Sequence, residues 1–381
     1  MSIRAVVLAA ALTASALVTV VAPASAAIQS SRFVAVTPER LLDTRDGTGV
    51  HVVGDHLLLD MTHRVVAGAA VVLNITGADA NVDSFVTVWP DGQDRPNTSN
   101  LNVSRGQTAA NLTTVELPPT QMPAPPNKFL DIWVHGDLGV IVDFVGYYSY
   151  QDGSGYLGHA PVRSLDTRTG AGPVGPNGTT VLDLSSKVPS TATAVVFNLT
   201  GTNTTAGTFV TAWPDGSDRP AVSSLNLAAG QTRANLVTVA LPPSHKIDLY
   251  NLAGSVDLIA DVAGVYVSEG GNSFYPLPPR RVIDTRDSAP VGPGGVVTVN
   301  TGQQASTVAV NITAVDATAP TFLTAWGPGT DPRPDSSTLN LGPGDIVPNM
   351  ALVQTSGSSF SVYNLAGRVD VVVDLAGYFA A

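Results

Sequence analysis

The hexapeptide Arg40-Leu41-Leu42-Asp43-Thr44-Arg45 recurs in the form Arg-x-x-Asp-Thr-Arg at residues 163–168 and 281–286. Each copy is followed by the same landmarks: an apolar segment with a central Asn, Phe-x-Thr-x-Trp, Leu-Asn, and Asp-x-x-Gly ending in aromatics. The shared Asp residues, 43, 166 and 284, are 123 and 118 positions apart. This period exceeds that of solenoid repeats and matches a small domain. The chain is therefore predicted to contain three copies of one structure, which favours multivalent binding over one catalytic centre.

The fold class predicted from the sequence is all-β. Short runs of Val, Thr, Ile, Leu and Phe alternate with Gly, Pro, Asn and Asp clusters, and no long helical period follows the N-terminal segment. We expect three tandem antiparallel β-sandwich-like repeats, with one pseudo-threefold assembly of the three repeats as the alternative. The predicted divisions are a signal peptide at 1–26 and repeats at 27–150, 151–268 and 269–381. In repeat 1 the expected strands are 40–45, 56–61, 69–76, 84–89, 99–103, 109–116, 129–134 and 139–148.

Composition indicates an exported protein that is stable without disulfides. Arg4, the apolar run 5–22 and Pro23-Ala24-Ser25-Ala26 have the order of a secretory signal, with an uncleaved anchor as the alternative. No second long apolar segment follows, so no membrane span is expected after cleavage. The chain has no cysteine, which excludes thiol catalysis. Its formal net charge of −11 argues against nucleic acid as a partner.

The repeated Asp and Arg residues are predicted to be structural. Asp143, Asp261 and Asp374 lie within apolar strands, and a lone buried carboxylate must be paired or neutralised. The expected partners are Arg45, Arg168 and Arg286, which share a strand face with Asp43, Asp166 and Asp284. We therefore expect an Arg–Asp pair to tie the first strand of each repeat to its last. A ligand site built from the same residues is the alternative.

The central Asn residues, Asn74, Asn198 and Asn311, begin Asn-x-Thr triplets that have the form of glycosylation sites. Because the flanking strands are expected to be buried, we interpret them as inward-facing amides that satisfy backbone groups.

The recurring tryptophans are the candidate ligand-binding residues. Trp89, Trp213 and Trp326 end equivalent strands, and turn carboxylates Asp91 and Asp215 follow the first two. The rings can either stack on a sugar or cap the core. The loop carboxylates have the oxygen ligands that calcium prefers, but the acids are few and their spacing changes in the third copy, so no metal is expected. No cofactor is expected either, and the absence of catalytic motifs predicts that the protein is not an enzyme.

Taken together, the landmarks resemble those of a repeat module of secreted actinobacterial proteins, over about residues 33–379. The resemblance implies an extracellular accessory module of the cell envelope. The predicted function is non-catalytic binding of an envelope or environmental polysaccharide, or of a surface protein, through weak sites used together. The alternatives are a structural or adhesive exoprotein without a small ligand, and a polysaccharide hydrolase.

Overall fold

The computed structural model describes residues 29–65, 67–118, 128–327 and 333–381. The predicted signal peptide lies outside them. The described residues form 25 β-strands in six antiparallel sheets, with 3₁₀ turns at Thr167–Thr169 and Thr285–Asp287 and no α-helix. None of these residues belongs to a helix long and apolar enough to cross a membrane. The all-β class therefore follows from the β-branched segments and the turn residues between them.

The three repeats contain closely matching strands. Repeat 1 has β1 (Arg32–Asp43), β2 (Val52–Val53), β3 (His56–Asp60), β4 (Gly68–Ala78), β5 (Ser84–Pro90), β6 (Leu101–Val103), β7 (Ala109–Glu116), β8 (Phe129–His135) and β9 (Gly139–Ser149). Repeat 2 has β10 (Gly155–Asp166), β11 (Gly178–Asp183), β12 (Ala192–Thr202), β13 (Thr208–Pro214), β14 (Leu225–Leu227), β15 (Arg233–Ala240), β16 (Lys246–Asn251) and β17 (Asp257–Val267). Repeat 3 has β18 (Ser273–Asp284), β19 (Val296–Asn300), β20 (Thr307–Val315), β21 (Thr321–Trp326), β22 (Leu339–Leu341), β23 (Ile346–Gln354), β24 (Ser359–Asn364) and β25 (Asp370–Ala380).

Each repeat contributes one inner and one outer sheet. The inner sheets have the strand orders β1-β9-β4-β7, β10-β17-β12-β15 and β18-β25-β20-β23. The outer sheets have the orders β2-β3-β8-β5-β6, β11-β16-β13-β14 and β19-β24-β21-β22. The two sheets of a repeat share a hydrophobic core, which in repeat 1 includes the fully buried Leu73, Val86 and Ile132.

The six sheets close into a ring. Strand β6 of repeat 1 contacts β23 of repeat 3, β22 of repeat 3 contacts β15 of repeat 2, and β14 of repeat 2 contacts β7 of repeat 1. Since inner and outer sheets of one repeat also pack together, every sheet has two neighbours along the ring, and the inner sheets also contact one another at its centre. The sheets are thus arranged as six small blades of a β-propeller. The prediction of three tandem β-sandwich-like repeats is wrong.

The physical reason for this correction is the second face of the inner sheets. In β4 every residue is buried, and Ala70 and Val72 belong to a central cluster that is separate from the core of repeat 1. A sheet that is apolar on both faces must be covered on both. The central cluster covers this face with residues from all three repeats, and six buried aromatic rings form its middle: Phe33, Tyr148, Tyr156, Tyr266, Phe274 and Phe379.

The aromatic rings of the central cluster interlock across repeats. Phe33 stacks on Tyr266 with ring centroids 4.3 Å apart, and Tyr148 stacks on Phe274 at 4.0 Å. The hydroxyl oxygens of Tyr148 and Tyr266 are 2.6 Å apart and hydrogen-bonded. Buried aromatic side chains contribute on the order of 2–3 kcal/mol each when fully removed from water. The central cluster therefore stabilises the ring as a unit.

Buried asparagines also join the repeats. The side-chain nitrogens of Asn74, Asn198 and Asn311 donate to the carbonyls of Ser223, Ser337 and Ser99, each in another repeat. Their side-chain oxygens accept hydrogen bonds from Asn235, Asn349 and Asn111, respectively. The expected role of an inward-facing amide thus extends to a bond between repeats. Glycosylation does not suit these side chains, because glycan acceptors lie on exposed loops.

Candidate binding clefts between repeats

The buried Asp of the last strand binds the first Arg of the Arg-x-x-Asp-Thr-Arg motif and not, as expected, the second. Arg40, the first Arg of the motif, binds Asp143, with 2.9 Å between Nε and Oδ1. Arg45 instead binds Asp43, with 2.7 Å between Nη2 and Oδ2. Strand pairing explains the correction, because β1 and β9 set Arg40 opposite Asp143 while the chain turns away after Asp43. The first strand is tied to the last in each repeat, but through the first Arg.

The other two repeats have the same arrangement. Arg163 binds Asp261 at 2.9 Å, and Arg281 binds Asp374 at 3.0 Å. The second Arg of each motif binds the Asp two residues before it, and these pairs are Arg168–Asp166 at 2.6 Å and Arg286–Asp284 at 2.5 Å. The expected pairs of Arg168 with Asp261 and of Arg286 with Asp374 are corrected in the same way.

The arginines of each motif bind two carboxylates, and the pKa values of these two carboxylates are shifted in opposite directions. Burial raises the pKa of Asp143, Asp261 and Asp374, and the first Arg opposes this rise. Hydrogen bonds from the second Arg lower the pKa of Asp43, Asp166 and Asp284. The arginines of the motif therefore hold a deeply buried carboxylate of raised pKa next to a carboxylate of lowered pKa.

The tryptophans proposed as ligand-binding residues have little free surface. Trp89 and Trp213 are 6% and 7% exposed, and Trp326 is partly buried. The indole nitrogens of Trp89 and Trp213 each donate to a backbone carbonyl 3.0 Å away in the following turn. Asp91 is exposed, whereas Asp215 accepts a hydrogen bond from a neighbouring serine. Trp89 and Trp213 are thus covered by the turn that follows them and do not offer an open stacking face.

An arginine that follows each of these tryptophans in the chain stacks on another aromatic ring of the same repeat. We name residues 91–100, 215–224 and 333–338 the bridging loops. The Arg95 guanidinium lies 3.8 Å from the centroid of the Trp133 ring. The equivalent pairs are Arg219 with Tyr250 at 3.6 Å and Arg333 with Tyr363 at 4.0 Å. Both partners were visible in the sequence as recurring residues, but nothing local showed that they meet.

The first bridging loop forms one wall of a cleft between repeats 1 and 3, which we name cleft A. Its volume is about 280 Å³. The opposite wall carries Arg281 and Arg286 of the motif in repeat 3. The wall from repeat 1 carries Phe85, Arg95, Asn97, Thr98, Ser99, Asn102 and Trp133.

An equivalent cleft, cleft B, lies between repeats 3 and 2. Its volume is about 190 Å³, and Arg163 and Arg168 of the motif form one wall. Phe322, Asp335, Ser337 and Asn340 belong to the other, at the positions of Phe85, Asn97, Ser99 and Asn102. Cleft B adjoins a hollow of about 430 Å³ that also has Phe322 and Asn340 in its wall. The junction of repeats 1 and 2 holds a cavity of about 20 Å³ beside Asn74 and Ser223.

The clefts combine an apolar ring with polar donors. The side-chain oxygen of Asn102 accepts a hydrogen bond from Ser99 at 2.8 Å, and Asn340 accepts one from Ser337 at 3.0 Å. This orientation leaves the amide NH₂ groups as donors toward the clefts. A half-buried Phe beside amide, hydroxyl and guanidinium groups suits a ligand with both an apolar face and hydroxyls. No group of three or more His, Asp or Glu in the described part of the chain is placed to hold a metal ion.

Comparison with known proteins gives only weak structural likenesses. No protein-family model matches the chain, and no curated protein matches it significantly. A structure of Sulfolobus turreted icosahedral virus is 12% identical, with coverage of 92% of this chain and 90% of that chain and a TM-score of 0.20. The CBM22-1–CBM22-2 tandem domain of Paenibacillus barcinonensis Xyn10C is 11% identical, with coverage of 64% of this chain and 100% of that chain and a TM-score of 0.18. Likenesses at this level do not assign a fold or a function.

Proposed function

We propose that this protein is a secreted, non-catalytic binding protein that engages polysaccharide through the clefts between its repeats. The observation that carries the proposal is the recurrence of one cleft design at two junctions. Clefts A and B each set a Phe, an Asn and a Ser of one repeat against two Arg residues of another. A residue set that recurs at the surface, with donors left open, is better explained by a ligand than by packing alone.

The chemistry of the clefts matches a sugar ring. The C–H face of a sugar can lie on Phe85 or Phe322, while its hydroxyls accept from guanidinium and amide groups. Each cleft has room for one or two sugar units, so a single contact would be weak. Two clefts in one rigid ring can hold a polymer more tightly through effective concentration. Export and location at the cell envelope are part of this proposal.

A glycan array, followed by calorimetry on the glycans retained, tests the proposal. We expect the folded protein to bind a polysaccharide, and Phe85→Ala/Phe322→Ala to lose at least about tenfold in affinity, or about 1.4 kcal/mol. The matched control is Trp213→Phe, which alters a buried ring outside both clefts and should leave binding unchanged. A folded wild type that binds no glycan would reject the proposal, as would equal losses in the two variants.

A further inference from the structure

Clefts A and B differ in charge at one equivalent position. The bridging loops read Arg95-Pro96-Asn97 in repeat 1 and Arg333-Pro334-Asp335 in repeat 3. Asn97 is in the wall of cleft A, and Asp335 is in the wall of cleft B. The two clefts share a Phe, a Ser, an Asn and the two motif arginines, so a change of charge at this position affects which ligand each accepts.

Among the charged residues that line cleft A and their ion-pair partners, positive charges outnumber negative charges by one. Arg281 binds Asp374 and Asp284, and Arg286 binds Asp284, so these two cations face two carboxylates. Arg95 stacks on Trp133 and, among the described residues, forms no ion pair, not even with the adjacent Asp94. Its guanidinium is therefore held in place by the Trp133 ring and is not in ion-pair contact with a carboxylate.

Arg286 adds a second open donor. Its Nε and Nη2 atoms bind the two oxygens of Asp284, at 2.8 and 2.5 Å. The third nitrogen, Nη1, has no partner among the described residues. Arg286 is exposed, so this nitrogen can reach a ligand in cleft A. Two guanidinium groups on opposite walls thus supply the planar N–H donors that bind a carboxylate well.

Cleft B lacks this excess. Arg163 and Arg168 face Asp261 and Asp166, and Asp335 adds a third carboxylate to the wall of this cleft. Burial is the main cause of the raised pKa of Asp261, and the negative charge of Asp335 adds to it. Asp335 therefore acts within this cluster, where it disfavours a further anion.

We infer that cleft A accepts a carboxylated sugar, a uronic acid residue, whereas cleft B accepts neutral sugar. In cleft A the sugar ring lies on Phe85, and its carboxylate is bound by Arg95 and Arg286. This inference rests on the proposed function and narrows it to an acidic polysaccharide. Asn97 is a specificity-determining residue because any acid at its place would repel the ligand.

Calorimetry with tetragalacturonate and with its fully methyl-esterified form tests the inference, because esterification removes each carboxylate charge, adds one methyl group and leaves the sugar ring unchanged. We expect the acid to bind more tightly than the ester. This preference should shrink between 50 and 500 mM salt, because the Debye length falls from more than about 10 Å to less than the distance between the charges. Asn97→Asp should weaken acid binding by about three- to tenfold, as one added charge at ~6 Å predicts for a solvated site. Ester binding should not change.

The matched reverse variant is Asp335→Asn, which should leave cleft A unchanged and raise the stoichiometry of acid binding from one toward two. Equal affinity for acid and ester, or an unaltered acid affinity in Asn97→Asp, would overturn this inference and leave the proposed function standing. Binding of other glycans but of neither tetramer would also overturn it. A folded protein that binds no glycan at all would overturn both.

Discussion

Replacing Arg163 by Met should destabilise the protein by about 2–3 kcal/mol at pH 7. The guanidinium of Arg163 makes two hydrogen bonds to Asp261, at 2.9 and 3.1 Å, and the Asp261 side chain is 1% exposed. Removing one partner of a buried ion pair costs about 3–5 kcal/mol because the other charge stays buried and uncompensated. We take a smaller value because the Arg163 side chain is 31% exposed and its interaction is partly screened.

The cost should depend on pH in a way that identifies its cause. Burial already raises the pKa of Asp261, and loss of Arg163 should raise it further. A carboxyl group with a raised folded-state pKa binds more protons folded than unfolded, so stability increases as pH falls toward its unfolded value near 4. The destabilisation by Arg163→Met should therefore shrink between pH 7 and pH 5, as measured by urea unfolding at each pH.

Arg168→Met is the matched control for this measurement. Arg168 lowers the pKa of Asp166, so its stabilising effect is present above the unfolded pKa and is lost only as pH falls below about 4. Its loss should cost less, since Arg168 is 42% exposed, and the cost should be equal at pH 7 and pH 5. An Arg163→Met penalty that stays constant from pH 7 to pH 4 would refute the role given to the buried carboxylate.

Two further variants probe the contacts between repeats. Asn349→Leu removes the amide that donates to Asn198 and leaves buried partners unsatisfied. Urea unfolding should therefore show a free energy of unfolding that is lower by about 2–4 kcal/mol. Stability equal to wild type would contradict a structural role for this amide. Tyr266→Phe leaves the buried hydroxyl of Tyr148 without its partner and should cost about 1–2 kcal/mol by the same assay, whereas a gain in stability would show that the hydroxyl pair is unfavourable.

The strands and the repeat were predictable because their signals are local. All eight segments expected in repeat 1 overlap observed strands, and β7 matches residue for residue at Ala109–Glu116. The first strand is the main difference, since it begins at Arg32 rather than at position 40. Turn residues and β-branched runs fix such boundaries without reference to distant parts of the chain.

The choice of partner was not predictable, because it depends on register. The motif offers two arginines, and alternation along an ideal strand favours Arg45 as the partner of Asp143. A register shift between Arg40 and Leu42 changes the pairing, and the sequence carries no signal for it. The clefts could not be predicted for a similar reason. An Arg at the position of Arg95 and an aromatic residue at the position of Trp133 recur in every repeat, but the two meet only after the loop folds over the outer sheet.

The arrangement of the sheets could be predicted from the sequence only in part. The apolar residues on both faces of β4 indicate burial on both sides, but not what covers the second face. A further signal was missed in Asn111, Asn235 and Asn349, which recur at equivalent places and bond to other repeats. Recurrence of a polar residue inside an apolar strand is thus a sign of a contact between copies.

The contacts that close the ring also position the candidate binding sites, so the two properties should be coupled. Asn311 donates to the carbonyl of Ser99 at 2.8 Å, and Ser99 is in the wall of cleft A. Asn74 makes the equivalent bond to Ser223 at 2.7 Å, at the junction of repeats 1 and 2. Asn311→Ala and Asn74→Ala should therefore destabilise the protein to a similar extent, by about 1–3 kcal/mol.

Only Asn311→Ala should also weaken glycan binding at cleft A, on the order of fivefold, which corresponds to about 1 kcal/mol of lost positioning. Calorimetry at a temperature where both variants remain folded separates this effect from stability. If both variants lost affinity equally, the clefts would depend on the ring as a whole rather than on the local bond. If neither did, the wall of cleft A would be held by the bridging loop alone, through contacts such as that of Arg95 with Trp133.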